Sequence, residues 1–217
     1  MRTVAVLPIK TFSLAKQRLS GVVGEHDRRG LAAAMVADVL AALAAVDELE
    51  AVVVVTAEPL AVEAAGEAGA VVVHDPEEAG QSAAAQLGID AARRLGAERV
   101  LAVPGDCPAL DAVEVCALLA RERDPGVVIV PDRHGSGTNA LLLAPPDAIV
   151  PSFGVGSFAR HAARARAVGA TVRVARLASL ELDVDTPEDL AALRDALSAS
   201  AGAPRTRAVL GGLPVGR

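Results

Sequence analysis

The stretch Arg99–Leu110, RVLAVPGDCPAL, decides how the chain is read. An apolar run from Val100 to Val103 is closed by Pro104 and Gly105, an acid follows at Asp106, and a helical pattern resumes after Leu110. A strand buried on both faces reads as a continuous apolar run. The turn after it therefore sets a carboxylate at the carboxyl end of a buried strand. As a cap or turn residue Asp106 needs no ligand; as a cation ligand it would face a phosphate. Both readings stand for this stretch alone.

The same grammar recurs along the chain. TVAVLPI (3–9), AVVVVTA (51–57), AVVVHD (70–75), GVVIVPD (126–132) and NALLLAP (139–145) are further strand candidates, with another near Thr171–Ala175. Between most of them lie segments with apolar spacing of three and four, such as Asp27–Val46, Gln81–Leu95 and Ser157–Val168. Apolar strands alternating with helices predict a three-layer α/β fold with a mostly parallel sheet. Ligands in such sheets gather at the carboxyl ends of the strands, which directs attention to Pro8–Arg18, Thr56, His74–Ser82, Pro104–Cys107 and Pro131–Thr138. We read residues 1–197 as one domain. The segment 198–217 loses periodicity and has the Gly, Pro and Arg content of a disordered tail.

Composition narrows the function classes. Of 217 residues, 52% are apolar but only 1% aromatic, so the core is built from Ala, Val and Leu. No apolar run approaches the roughly 20 residues that span a bilayer, and the first ten residues read as a strand and not a secretion signal. Two cysteines, Cys107 and Cys116, form no disulfide or zinc framework and suit a reducing cytoplasm. A net charge of −6 disfavours nucleic-acid binding through a broad basic face. Among 21 basic residues only Lys10 and Lys16 are lysines, and both follow the first strand in LPIKTFSLAKQRLS.

Four constellations could carry chemistry. Asp106 is the first. The second is ELDVDTPED, where Asp183 and Asp185 lie two apart in an extended segment and point the same way, with Thr186 as N-cap and Pro187 at the first helical position. Adjacent carboxylates stay ionised most readily around a cation. An acidic first helical turn explains Glu188 and Asp189 but not Asp183. Third, Lys10, Lys16 and Arg18 offer three cations to a polyphosphate, or form a solvated face; neither a P-loop nor a G-x-G-x-x-G motif is present. Fourth, PDRHGSGTNALLL and FGVGSFARH supply hydroxyl, amide and helix N-terminal donors suited to an anion. Of the histidines, His26 and His161 read as helix-surface residues, and no Ser-His-Asp set is visible.

Taken in order, LPIK…AKQRL, GQSAAAQLGIDAA, VPGDCPAL, PDRHGSGTNALLL, FGVGSFARH and ELDVDTPEDL resemble the 2-phospho-L-lactate guanylyltransferase family over about residues 1–197. The resemblance implies a Rossmann-like nucleotidyltransferase fold of the glycosyltransferase-A type. It also implies joining of GTP to phosphoenolpyruvate or 2-phospho-L-lactate, with release of pyrophosphate, in the biosynthesis of the deazaflavin coenzyme F-420. Position by position, Pro8, Lys10, Ala15, Lys16, Arg18 and Leu19 match the triphosphate element. Gly80–Ser82 match the segment that approaches the base, with Gln81 and Ser82 departing from the common Gly-Leu-Asn. Asp106, Asp183 and Asp185 match the Mg²⁺ ligands, and Thr138, Gly154 and Ser157 the phosphoacid site. The implied partners are GTP and a small phosphorylated carboxylic acid, without nucleic acid or membrane, in the cytoplasm; a homodimer is admitted. The alternatives are a molybdopterin or sugar-phosphate nucleotidyltransferase and a non-catalytic nucleotide-binding module. The first usually carries a glycine-rich loop after the first strand, where this chain has none, and the second would not need three acids.

Overall fold

The computed structural model describes residues 1–14, 16–198 and 201–213. The strands are β1 (Thr3–Ile9), β2 (Leu49–Thr56), β3 (Val71–His74), β4 (Arg99–Ala102), β5 (Gly126–Pro131), β6 (Thr138–Ala144) and β7 (Val172–Val174). The helices are α1 (Glu25–Ala44), α2 (Pro59–Glu67), α3 (Gln81–Arg94), α4 (Ala112–Arg121), α5 (Ser157–Ala167), α6 (Pro187–Ser198) and α7 (Pro204–Gly212). Among the described residues the strands form one seven-stranded sheet in the order β3-β2-β1-β4-β6-β5-β7. β6 runs antiparallel to both β4 and β5, and the other pairings are parallel.

Two features of this order position the site. Strand order reverses at β1, with β2 on one side and β4 on the other, and the crevice above such a reversal is where α/β sheets hold ligands. The reversed β6 also brings its first residues, Thr138 and Asn139, to the edge where the parallel strands end, with Thr138 opposite Pro131 of β5.

The core follows from alternation along the strands. Ala5, Leu7 and Ile9 of β1 pack with α1, α2 and α4, while Val4 and Val6 pack with α3 and α5 on the opposite face. With so few aromatics the layers close through small side chains. At Gly88 of α3 a Cβ would stand 2.2 Å from Val6 Cγ1 and 2.9 Å from Val55 Cγ2. Pro8 is buried within the central strand. Val103 donates its N–H to the Val6 carbonyl, so the same side of β1 two residues on would face β4, which has already ended. The missing proline donor therefore breaks no ladder bond.

The C-terminal segment departs from the expected irregular tail. Pro204–Gly212 forms α7, because Asp38 of α1 accepts the N–H groups of Arg205 and Thr206 and so caps the helix from a distant part of the chain. Ala203, Leu210 and Leu213 complete a third core with Leu31 and Met35 of α1 and Leu190, Leu193 and Leu197 of α6. The remaining tail positions, 199–200 and 214–217, lie outside the described residues.

Gly88→Ala should destabilise the protein by about 1–3 kcal/mol, the usual cost of overpacking. Gly30→Ala, at a position on α1 with no atom within 4 Å of the added carbon, should leave stability unchanged or raised. Urea unfolding of the two variants checks the contrast; equal effects would contradict the close helix–sheet approach.

Candidate active site

The loop after β1 passes under the crevice and is pinned at its start by two acids. Buried Glu58 accepts the Phe12 N–H at 2.8 Å, and exposed Glu78 accepts both the N–H and the hydroxyl of Thr11. The chain then enters a left-handed conformation at Lys16 (φ 56°, ψ 33°) that opens a short 3₁₀ turn, Gln17–Leu19. A non-glycine residue adopts this conformation at a cost of about 1–2 kcal/mol, so other contacts must hold it. Leu19 is fully buried against Leu31 and Met35, and Lys16 itself is 6% exposed.

Two carboxylates meet the Lys16 ammonium. Nζ donates to Asp106 Oδ2 at 2.6 Å and to Asp185 Oδ1 at 3.2 Å. Burial alone would lower the Lys16 pKa, but the charges of Asp106 and Asp185 outweigh it and hold the pKa above the ordinary lysine value. Asp106 sits in the turn after β4, next to a tightly packed Gly105: a Cβ there would lie 3.1 Å from Val36 Cγ2.

The acidic segment 183–185 is drawn to the same place. Val184 is fully buried in the third core and donates its N–H to the Asp106 carbonyl. Asp183 accepts from Asn139 Nδ2 at 3.2 Å, and Asn139 also donates to the Leu180 carbonyl. Burial, then the neighbouring charge of Asp106, raises the Asp183 pKa against the lowering effect of Asn139. Thr186 and Asp189 form a capping box: each backbone N–H donates to the other's side chain, and Asp189 also accepts the Asp185 N–H. Arg133 anchors Asp189 at 2.5 Å, tying the β5–β6 hairpin to this helix start. Among the described residues no three His, Cys, Asp or Glu side chains are grouped closely enough to cage a metal by themselves.

A second wall is built from β6 and the loop before α5. Thr138 Oγ1 lies 3.0 Å from His161 Nδ1, and His161 Nε2 accepts the Ser152 N–H at 2.8 Å. Arg160 folds the loop around its guanidinium by donating to the Ser152 and Phe153 carbonyls at 3.0 Å and to the Val155 carbonyl. Gly154 (φ 100°) and Gly156 (φ 70°) supply the left-handed turns that let Ser157 open α5. Ser82 Oγ accepts the Phe153 N–H, so this residue of the expected base segment buttresses the loop. Asp132 closes the hairpin by accepting from Ser136 and Gly137.

Lys10 and Arg18 are exposed and Lys16 is committed to two acids, so the three cations do not form one open clamp. Pro8 and Leu19 are packing residues, and Ala15 lies outside the described residues. His161 is not on a helix surface; it is wholly buried, edge-on to Phe153 with ring centroids 5.2 Å apart. Sequence assigns no role to Asn139 and Arg160 and places Asp189 only within an acidic first helical turn. Of these, Asp189 carried a readable signal, the Thr-x-x-Asp spacing of a capping box. Cys107 is buried, and desolvation with the nearby Asp106 charge raises its thiol pKa well above the ordinary value, which leaves it inert.

The family model described as "Guanylyl transferase CofC like" matches residues 3–194. The chain belongs to the CofC-like guanylyltransferase family. A phosphoenolpyruvate guanylyltransferase of Conexibacter woesei is 50% identical over 213 residues, covering 97% of this chain and 96% of that protein. One from Sphaerobacter thermophilus is 43% identical over 190 residues, covering 88% and 91%. In fold, the chain is similar to a structure assigned as a nucleotide-diphospho-sugar transferase from Desulfovibrio desulfuricans G20, with a TM-score of 0.77, 18% identity and 98% and 95% coverage. This CofC-like chain is thus a nucleotidyltransferase, and no helix among its described residues is long and apolar enough to cross a membrane.

Burial, with the Arg160 and Arg164 charges, lowers the His161 pKa from 6.5 to about 4. The native state then binds fewer protons than the unfolded chain between these values, so the contribution is complete above about pH 6.5 and lost as pH falls to about 4, an effect on the order of 3 kcal/mol. Urea unfolding should therefore show the stability gap between wild type and His161→Asn shrinking as pH drops from 7 to 4.5. A gap independent of pH contradicts this origin.

Proposed function

We propose that the chain transfers the guanylyl group of GTP to a small phosphorylated carboxylic acid, phosphoenolpyruvate or 2-phospho-L-lactate, in the biosynthesis of coenzyme F-420. The observation that carries this reading is the meeting of Lys16, Asp106 and Asp185 above the strand-order reversal, in a chain half identical to a named phosphoenolpyruvate guanylyltransferase. An acceptor phosphate oxygen attacks the α-phosphorus of GTP; a new P–O bond forms, the α–β bridging P–O bond breaks, and pyrophosphate leaves with that electron pair. The acceptor is already an anion at neutral pH, so no general base is required. The task is to bring two anions together and orient them.

The residues divide that task. Lys10 and Arg18, both exposed beside the crevice, attract the triphosphate. Lys16 spends two of its three N–H donors on Asp106 and Asp185, leaving the third for a phosphate oxygen. Gly80 and Ser82 would receive the base. Thr138, Gly154 and Ser157 receive the carboxylate or phosphate of the acceptor.

The carboxylates suit a hard divalent cation. Mg²⁺ is commonly held by one or two carboxylates together with substrate phosphates, so the lack of a ready-made three-acid cage among the described residues is compatible with it. One or two of Asp106, Asp183 and Asp185 would hold it together with substrate phosphates, and when bound it would neutralise charge on the transferring phosphoryl group.

The experiment is incubation of the purified protein with Mg²⁺, each nucleoside triphosphate and each phosphoacid, following pyrophosphate release and product mass. GTP with phosphoenolpyruvate should give the guanylylated acid, and chelation should stop the reaction. Product from another nucleotide alone contradicts the reading. Asp106→Asn and Asp185→Asn should each lower turnover at least ~100-fold, as expected for groups that organise charge at a phosphoryl centre. Turnover near wild type in both would remove the acids from the mechanism.

A further inference from the structure

His161 links the two parts of the second wall, and both of its ring nitrogens are engaged. Nε2 faces the Ser152 N–H at 2.8 Å. A backbone amide can only donate, so Nε2 is the bare, accepting nitrogen. The ring is neutral at physiological pH, held so by burial and by the Arg160 and Arg164 charges. Its single proton is therefore on Nδ1, directed at Thr138 Oγ1 3.0 Å away. Thr138 Oγ1 accepts from His161, and among the described residues it has no second hydrogen-bond partner. The hydroxyl hydrogen of Thr138 is left to be donated elsewhere.

We propose that His161 is a positioning residue for the acceptor: by locking one tautomer it fixes the orientation of the Thr138 hydroxyl, occupying one of its lone pairs and turning its hydrogen away from the imidazole toward the acceptor's carboxylate or phosphate, while its other nitrogen holds Ser152 and the loop that carries Gly154 and Ser157. This rests on the reading of Thr138, Gly154 and Ser157 as the acceptor site. The arrangement is selective by chemistry. A threonine hydroxyl free to rotate serves acceptors and donors alike, whereas one already accepting from an N–H presents its hydrogen and favours an anion. Phe153, edge-on to the imidazole, and Arg160, folded beneath the loop, keep the ring from turning over.

The test uses three variants with phosphoenolpyruvate and GTP as probes. His161→Phe keeps the ring volume and loses both hydrogen bonds. His161→Asn places an amide nitrogen near the Nδ1 position and retains the donor to Thr138. His161→Gln places an amide oxygen near Nε2 and retains the acceptor for Ser152. His161→Phe should raise the KM for phosphoenolpyruvate about 3- to 10-fold, the range for losing a neutral hydrogen bond that orients the donor, with the KM for GTP within about twofold. His161→Asn should recover most of that loss and His161→Gln less. Equal rises in both KM values, or equal KM values for the Asn and Gln variants, would overturn the proposal, and the second comparison decides even if His161→Phe does not fold. ¹⁵N-histidine NMR of the wild type supplies an independent reading: Nδ1 protonated and Nε2 bare is expected, and the opposite tautomer refutes the mechanism. Thr138→Val separates the two levels. If it leaves the phosphoenolpyruvate KM unchanged, the acceptor-site reading fails; if it raises that KM while His161→Phe does not, His161 alone is misassigned.

Discussion

Carboxylates brought to one edge of a sheet repel each other, and the fold holds them there by placing a buried ammonium among them. Lys16 reaches Asp106 and Asp185, which stand 90 and 169 positions away in the chain. The pairing joins the loop after β1, the turn after β4 and the segment before α6 into one unit. It also accounts for the left-handed backbone at Lys16, whose cost is offset by two charge-assisted bonds. Asp183 stands just outside the pairing, kept by Asn139 and raised in pKa by its burial and its acidic neighbour.

The other wall of the crevice is organised by hydrogen bonds from side chains to backbone groups and between side chains, with no ion pair in the set. Arg160 collects the carbonyls of residues 152, 153 and 155, Asp132 shapes the hairpin, and His161 spans from Thr138 to Ser152. Ser82 of α3 and Phe153 tie this wall to the helix whose start is the expected base segment. The two walls meet through β6. Thr138 belongs to one and its neighbour Asn139 to the other.

Much of the fold was legible because two-sided burial leaves continuous apolar runs, and these mark the strands well. The direction of β6 was not legible, since a strand covered on both faces carries the same run whichever way it lies. Helix α7 was missed because its cap, Asp38, is supplied from 167 positions earlier and leaves no local signature. In the site, the acids at strand ends stood out because charge after an apolar run is unusual. The partner of Lys16 did not, because a lysine near a proposed phosphate site and a lysine paired to two acids look alike in sequence. His161 sits among Ala and Arg in a polar-looking helix, and only the packing of α5 on β5 shows that it faces inward.

Lys16 and Asp106 act as one coupled unit holding the crevice together. A double-mutant cycle with Lys16→Met, Asp106→Asn and the double variant, read by urea unfolding, measures that coupling directly. The account predicts an interaction free energy of about 1 kcal/mol or more, the double variant being less destabilised than the sum of the singles. Strictly additive effects, within about 0.3 kcal/mol, would contradict it.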